Sequence, residues 1–262
     1  MAASDVHVVE NGKRGAPTLL LLSNAAAPSA SWEPVVPSLA QSHHVVRVDL
    51  LDHGSPPRYD VPTQARRVAT VLDELGVDRV TAIGHSSGCM VATALAEQRP
   101  DAVTALALLD MGPDLAAKIP ERLLFRLIKT RFPGALLWRL RSPQSMMKAA
   151  RGTTRPVDIP DSWMEHLLRM KHRDFVGVLR AYTTYLGQRS LPDRLRGSGL
   201  PLLVIFGADD QRWRSSSADA YRVVPGVRVE LLPGVGHTPP VEDPETTAKL
   251  LLEFAATVEH HR

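Results

Sequence analysis

Apolar runs alternate with segments of helical spacing over the first 111 residues, and the same alternation resumes near residue 200. Several of these runs are continuously apolar, as expected for strands buried on both faces of a parallel sheet. The runs predict strands at 6–10, 17–22, 45–49, 80–83, 104–110, 200–207 and 227–232. Strands that alternate with helices predict an α/β fold, in which a mostly parallel sheet is covered by helices on both faces.

Helices are predicted in the segments between these strands. Ser31 is a candidate cap for the first helix, Gly76 follows the second, and Pro244 suits the first turn of the last. The helical spacing predicts helices at 32–40, 61–75, 90–96, 215–224 and 244–258.

The alternation of strands and helices breaks between residues 112 and 199, where the spacing is helical throughout. Four apolar residues share one face of a helix predicted at 122–131: Leu123, Leu124, Leu127 and Ile128. Ser162 and Glu165 have the spacing of a capping box that opens another helix, and a further helix is predicted at 174–186. We therefore predict a helical insertion at 112–199 between two core segments, 1–111 and 200–262.

The segment Gly84-His85-Ser86-Ser87-Gly88 is a G-x-S-x-G motif between a predicted strand and a predicted helix. A serine at the apex of such a turn has a strained backbone and an outward-pointing hydroxyl. Glycine flanks it because side chains there would collide where strand and helix approach. The backbone N–H of Ser87, at the helix start, would point toward negative charge formed beside Ser86.

With this motif and this element order, the chain resembles the α/β-hydrolase superfamily. The resemblance covers nearly the whole chain, and the insertion at 112–199 matches the helical cap of that family. It implies a nucleophile, an acid and a base in the order Ser86, Asp210 and His237. Asp209 and Asp110 remain alternatives for the acid, because one precedes Asp210 and the other ends a neighbouring strand.

The chemistry of these residue types fits the order that the resemblance implies. A serine hydroxyl is a poor nucleophile unless a base removes its proton during attack, and histidine can do so near neutral pH. An aspartate would hold the imidazole in the required tautomer and stabilise its charged form. We therefore expect Ser86, His237 and Asp210 to be catalytic.

The predicted oxyanion loop departs from the family pattern. Many members have His-Gly after the first long strand, whereas this chain has Ser23-Asn24 followed by Ala25. The resemblance implies that the backbone N–H groups of Ala25 and Ser87 form the oxyanion hole. The Ser-Asn pair is locally similar to that of the 3-oxoadipate enol-lactonases, which open a lactone bearing a carboxylate. The Asn24 side chain is either an additional donor or part of a turn.

Composition narrows the function classes. The chain is 44% hydrophobic and 23% charged, with a net charge of +3, which gives no indication of nucleic-acid binding. A single cysteine, Cys89, excludes an internal disulfide and a cysteine-rich metal site. The start of the chain lacks the basic and apolar regions of a signal peptide, and no apolar run is long enough to span a membrane. We therefore expect a cytoplasmic enzyme that needs no metal or organic cofactor.

Arginine is abundant in the predicted insertion, so the cap should be basic. This charge either attracts an anionic substrate or an acidic acyl carrier protein, or belongs to a solvated helix face. Aromatic and sulfur-containing side chains of the insertion either line an apolar substrate pocket or form the core of the cap. The candidate pocket residues are Asn24, Trp138, Met147 and Trp163.

A serine nucleophile argues against the haloalkane dehalogenases and epoxide hydrolases of this fold, which use aspartate. We predict a serine hydrolase that cleaves a carboxylic ester or lactone of a small to medium apolar metabolite through an acyl-enzyme. Thioester hydrolysis, acyl transfer, cyclisation and carbon–carbon bond hydrolysis remain alternatives. A ligand-binding protein on a hydrolase fold is the alternative from another class, and the sequence indicates no oligomeric state.

Overall fold

The computed structural model describes residues 6–24, 27–50, 59–121, 123–146 and 161–260. Two predicted site residues, Ala25 and Met147, lie outside these ranges. So does Arg122, where one of the predicted helices was expected to begin.

Seven strands form one sheet in the order β1-β3-β2-β4-β5-β6-β7. Strand β1 pairs antiparallel with β3, and all other pairs are parallel. The strands are β1 (Val8–Asn11), β2 (Thr18–Leu22), β3 (His44–Val48), β4 (Val80–His85), β5 (Val103–Leu109), β6 (Leu202–Gly207) and β7 (Arg228–Leu232). The predicted α/β fold with a mostly parallel sheet is confirmed.

Helices cover both faces of this sheet. They are α1 (Val36–Leu39), α2 (Val61–Leu75), α3 (Ser87–Gln98), α4 (Leu123–Ile128), α5 (Phe132–Arg139), α6 (Asp161–Arg169), α7 (His172–Gln188), α8 (Leu191–Leu195), α9 (Pro239–Glu242) and α10 (Pro244–His260). Among the described residues, 3₁₀ helices span Ser29–Trp32, Leu115–Ala117 and Ser215–Val223.

Strand β2 shows why the apolar runs are continuous. Successive side chains of a strand point to opposite faces of the sheet. Leu20 and Leu22 therefore enter one core cluster, whereas Leu19 and Leu21 enter the cluster on the other face. Both faces of this strand are covered, so the four buried positions from Leu19 to Leu22 all require apolar residues.

The single helix predicted at 32–40 is wrong. The segment instead forms the 3₁₀ helix Ser29–Trp32 and the one-turn helix α1, and Ser31 caps neither of them. Pro34 and Pro37 explain the break, because proline has no backbone N–H to donate to the helical hydrogen bonds of one continuous helix. The helix predicted at 215–224 forms with 3₁₀ geometry.

Between β5 and β6 the described residues form helices and no strand, as the spacing predicted. Helix α4 exposes its predicted apolar face, with Leu123 69% and Leu124 58% exposed. Helix α6 begins at Asp161, so Ser162 lies within its first turn rather than at its cap. Helices α7 and α8 contribute Tyr185, Leu186, Leu191 and Leu195 to a core cluster of the sheet. The division at 112 and 199 stays a prediction.

Within the described part of the chain, no helix is both long and apolar enough to cross a membrane.

Candidate active site

Ser86 occupies the sharp turn between β4 and α3. Its backbone has φ 52° and ψ −121°, a conformation that L-residues rarely adopt. The Ser86 N–H donates to the carbonyl oxygen of Leu109 at 2.8 Å, which ties the turn to the end of β5. The side chain is partly accessible, whereas its neighbours His85 and Ser87 are buried. The turn therefore presents the Ser86 hydroxyl at the carboxyl edge of the sheet.

Two glycines make this turn possible. A Cβ atom on Gly84 would lie 2.5 Å from the backbone nitrogen of Cys89. A Cβ atom on Gly88 would lie 2.2 Å from the carbonyl oxygen of Leu22. Both distances are too short for a side chain, so α3 packs this closely against β2 and β4 only with glycine at these positions.

His237 and Asp210 complete a hydrogen-bonded chain with Ser86. The His237 Nε2 atom lies 3.1 Å from Ser86 Oγ, and His237 Nδ1 lies 2.9 Å from Asp210 Oδ2. The imidazole and the carboxylate are both buried. An Nδ1–H that donates to Asp210 leaves the Nε2 lone pair free to accept the serine proton. The structure thus brings the three predicted catalytic residues together.

The Asp210 carboxylate has two further donors. Its Oδ1 atom accepts from the backbone N–H of Arg212 at 2.6 Å and of Trp213 at 3.2 Å. Burial alone would raise the pKa of Asp210, but the charge and hydrogen bond of His237 and these N–H groups together lower it. The alternative acid Asp209 is exposed, and the alternative Asp110 is buried beside Asp210.

His85 links two loops of the site. Its Nε2–H donates to the carbonyl oxygen of His237 at 2.7 Å, and its Nδ1 atom lies 3.5 Å from Asn24 Nδ2. Burial lowers the pKa of His85 to about 3, and electrostatic interaction with the neighbouring His237 ring acts in the same direction. His85 is therefore neutral at physiological pH, with one nitrogen donating and the other accepting.

Glu242 fixes the loop that carries His237. Its two carboxylate oxygens accept from the backbone N–H groups of Gly236 at 2.7 Å and Thr238 at 2.8 Å. These residues flank His237 directly, and Glu242 is itself buried. The backbone on both sides of His237, the predicted base, is thus held by one side chain.

Of the residues predicted at the oxyanion hole, Ser87 and Asn24 are described, whereas Ala25 lies outside the described ranges. Ser87 opens α3, which places its backbone N–H at the positive end of that helix. The Ser87 side chain is hydrogen-bonded to Tyr182 of α7, so a helix of the insertion reaches the nucleophile turn. The Asn24 side chain lies against His85. The roles predicted for Ala25, Ser87 and Asn24 stay predictions.

The two candidate pocket tryptophans differ in their surroundings. Trp138 packs with Met170 and Val178, and its Nε1–H donates to the Met170 carbonyl oxygen at 2.9 Å. Trp163 packs instead against Ala27, in the loop after β2, and Val241, in helix α9 after His237. Trp163 therefore contacts segments that flank the site, whereas Trp138 packs against other residues of the predicted insertion. The pocket roles of both, and of Met147, stay predictions.

The sequence analysis gave His85 and Glu242 no role, although both hold the predicted base. A signal for His85 was its place at the carboxyl end of the strand before Ser86. A signal for Glu242 was its position one helical turn after Thr238, where its carboxylate can return to the backbone near a helix start.

Comparisons with known proteins agree with this architecture. The chain matches the family described as "Alpha/beta hydrolase family" over residues 17–250, and it therefore belongs to that family. An uncharacterized protein of Mycobacterium tuberculosis strain H37Rv is 29% identical over 93% of this chain and 76% of its own length.

Solved structures show the same fold. A bacterial membrane phospholipase A is 26% identical, with a TM-score of 0.78 over 97% of this chain and 83% of its own. The enol-lactonase from Burkholderia xenovorans LB400 is 18% identical, with a TM-score of 0.76 over 96% of each chain. The family match identifies the chain as an α/β hydrolase, and both solved structures share its fold.

Proposed function

We propose that the protein is a serine hydrolase that cleaves a carboxylic ester or lactone of a small to medium apolar metabolite. The observation that carries the proposal is the hydrogen-bonded chain from Ser86 Oγ to His237 Nε2, at 3.1 Å, and from His237 Nδ1 to Asp210 Oδ2, at 2.9 Å. An activated serine requires a base within hydrogen-bond distance of its hydroxyl and an acid within hydrogen-bond distance of that base.

In the proposed reaction, Ser86 Oγ attacks the carbonyl carbon while His237 Nε2 takes the hydroxyl proton. Asp210 stabilises the imidazolium, and the backbone N–H of Ser87 stabilises the oxyanion. When the tetrahedral intermediate collapses, His237 returns the proton to the leaving oxygen, and the acyl group stays on Ser86. Water then attacks the acyl-enzyme with His237 as base, which releases the acid and restores the serine.

One feature supports an ester or lactone substrate. The Ser23-Asn24 pair is locally similar to the oxyanion loop of enol-lactonases, and one structural neighbour is named as such an enzyme. Helices of the predicted insertion also reach the site, since Tyr182 contacts Ser87 and Trp163 packs against Ala27 and Val241. A cytoplasmic location is part of the proposal and would be tested by cell fractionation.

A burst experiment tests the acyl-enzyme. We expect a p-nitrophenyl ester to release one equivalent of p-nitrophenol rapidly whenever deacylation is slower than acylation, and acid-quenched protein to carry one acyl group on Ser86. A panel of esters, lactones, thioesters and vinylogous diketones then ranks the substrate classes by kcat/KM. Turnover near background together with tight ligand binding would contradict the proposal and favour a ligand-binding protein.

A second candidate substrate is an acyl thioester on an anionic carrier, and a basic cleft favours it. The cleft, of about 910 Å³, is lined by Arg131, which precedes α5, and by His172, Arg173 and Arg180 of α7; the acid Asp60 lies beside them. The positive end of the α7 dipole adds to this field. An acidic carrier protein or a coenzyme A thioester would be attracted to this surface.

Ionic strength and charge substitution test this second candidate. We expect KM for a coenzyme A thioester to rise at least about threefold between about 0.01 and 0.15 M salt, while KM for a neutral ester stays constant. Arg131→Gln and Arg180→Gln should reduce that dependence. Arg222→Gln, an equal charge change at the exposed Arg222–Asp219 pair, serves as the control. Equal salt dependence for both substrates would eliminate this candidate.

A further inference from the structure

Asp110, at the end of β5, is a buried acid that the proposed reaction does not use. Asp110 is 0% exposed, and its Oδ1 atom accepts a hydrogen bond from the backbone N–H of Gly207 at 2.8 Å. Its Oδ2 atom is buried and faces no hydrogen-bond donor among the described residues. A buried carboxylate oxygen without a donor is costly, so this atom requires an explanation.

The backbone of Asp110 is also unusual. Its φ of 49° lies in the left-handed region, and Asp110 and Ser86 are the non-glycine residues of the described chain with positive φ. The Asp110 N–H donates to the Ile205 carbonyl oxygen at 2.9 Å, so both strand ends hold this conformation. Strained residues that neighbours fix in this way concentrate at functional sites.

Asp110 lies next to the triad acid. One carboxylate oxygen of Asp110, one of Asp210 and one ring nitrogen of His237 lie within 4.8 Å of one another. Two adjacent buried carboxylates cannot both remain ionised, so one of them holds a proton. Asp210 already accepts hydrogen bonds from His237, Arg212 and Trp213, which stabilise its charged form.

Asp110 has weaker support for a charge. Burial and then the charge of Asp210 raise the pKa of Asp110 well above its ordinary value, and the nearby carboxylate of Glu242 acts in the same direction. The Cys89 thiol is also close to Asp110, and burial raises its pKa, so this side chain is neutral and adds no charge to the pair. The proton of the pair therefore resides on Asp110.

We propose that Asp110 Oδ2–H donates a hydrogen bond to the Asp210 carboxylate and so acts as a positioning residue for the acid that orients His237. This hydrogen bond gives Asp110 Oδ2 a partner, and the shared proton limits Asp110 and Asp210 to one negative charge between them. A second negative charge here would favour the imidazolium form of His237 and remove the base at neutral pH. This inference rests on the proposed function.

Asparagine and alanine at position 110 test the proposed hydrogen bond. Asparagine reproduces a neutral carboxyl group, since its Oδ1 can accept from Gly207 and its Nδ2 can donate to Asp210. We expect Asp110→Ala to lower the rate constant of Ser86 labelling by a fluorophosphonate about tenfold, and Asp110→Asn to restore most of it. The acid limb of the pH profile should coincide in wild type and Asp110→Asn. A limb shifted down by about one pH unit or more in Asp110→Asn would show that Asp110 is ionised and would overturn the inference.

A double-mutant cycle separates action through Asp210 from a merely structural role. If Asp110 acts through Asp210, Asp110→Ala should cost less than about twofold in an Asp210→Ala background. An equal cost in both backgrounds would overturn the inference.

A spectroscopic readout does not depend on activity. The infrared carbonyl stretch of a protonated carboxyl group should be present in folded wild type at neutral pH and absent from Asp110→Asn. Its absence from wild type would overturn the inference even if Ser86 is labelled. If the band is present but Ser86 does not react with the fluorophosphonate, the protonated carboxyl group would be supported and the proposed function would be contradicted. A stoichiometric divalent metal in purified protein would also overturn the inference, because the three side chains could hold an ion in place of the proton.

Discussion

At the scale of single residues, the loop that carries the proposed base His237 is held by hydrogen bonds to its backbone. The His85 side chain donates to the His237 carbonyl oxygen at 2.7 Å, and Glu242 accepts from the backbone on both sides of His237. A general base misplaced by a fraction of an ångström loses rate, so these hydrogen bonds should affect activity through geometry.

Substitution of His85 tests this positioning. His85→Phe keeps a ring but removes the donor to His237, whereas His85→Gln keeps an N–H that can replace it. We expect the fluorophosphonate labelling rate constant to fall about tenfold in His85→Phe and distinctly less in His85→Gln. Circular dichroism spectra that match wild type would serve as the folding control. A His85→Phe variant as fast as wild type would mean that the bond does not position the base.

The buried imidazole also predicts a dependence of stability on pH. The pKa of His85 is about 3 in the folded chain against 6.5 for an ordinary histidine, so the unfolded state binds more protons between these values. The free energy of unfolding should therefore fall as pH decreases from about 6.5 toward 3. His85 alone should contribute about 2 kcal/mol to that fall between pH 8 and pH 5. Urea titrations should show a correspondingly smaller loss for His85→Gln, and equal losses in both proteins would refute the assignment.

At the scale of elements, the nucleophile turn depends on close contact between α3 and β2. In Gly88→Ala the new Cβ atom would lie 2.2 Å from the Leu22 carbonyl oxygen, a backbone atom that cannot move aside alone. We expect a loss of about 2 kcal/mol or more in the free energy of unfolding, although alanine is the better helix former.

Gly197→Ala is the matched control for this substitution. Nothing lies within 4 Å of a Cβ atom at Gly197, and its backbone does not have positive φ. We expect this variant to be neutral or more stable by about 0.5 kcal/mol. Equal effects of the two substitutions in denaturant titrations would show that contact with Leu22 is not limiting.

Elements with strong local signals were predictable from the sequence. Helix α2 runs from Val61 to Leu75 as predicted, because Gly76 supplies the left-handed cap that ends it, and Asp60 accepts from the Thr63 N–H at its start. The segment from Trp32 to Ala40 was misread, because its apolar spacing is helical while Pro34 and Pro37 prevent one continuous helix.

Contacts between distant segments were harder to predict. Ser86, Asp210 and His237 follow strands whose carboxyl ends share one edge, so their proximity follows from topology. The bond from His85 to the His237 carbonyl joins residues 152 positions apart. The proximity of Asp110 to Asp210 depends on the register of β5 and β6, which no local pattern specifies.

At the scale of the whole molecule, the insertion and the sheet share one core. Tyr185, Leu186, Leu191 and Leu195 pack in the same cluster as residues of β2, β4 and β5. We therefore expect the insertion and the sheet to unfold in one cooperative transition.

The four tryptophans allow that expectation to be measured. Trp138 and Trp163 lie within the predicted insertion, and Trp32 and Trp213 lie within the predicted core segments. A Trp138→Phe/Trp163→Phe variant reports on the core, and a Trp32→Phe/Trp213→Phe variant reports on the insertion. For each variant, the fluorescence midpoint should coincide with the midpoint from its own far-ultraviolet circular dichroism. An insertion signal lost before the circular dichroism transition would show that the insertion unfolds separately.

The most direct test of the account is the intact mass of the protein after treatment with a fluorophosphonate, for wild type, Ser86→Ala and His237→Ala. An activated serine predicts one adduct on wild type, none on Ser86→Ala, and a rate constant lowered by about a thousandfold or more in His237→Ala. An unmodified, folded wild type, or an adduct that persists in Ser86→Ala, would contradict the assignment of Ser86 as the nucleophile.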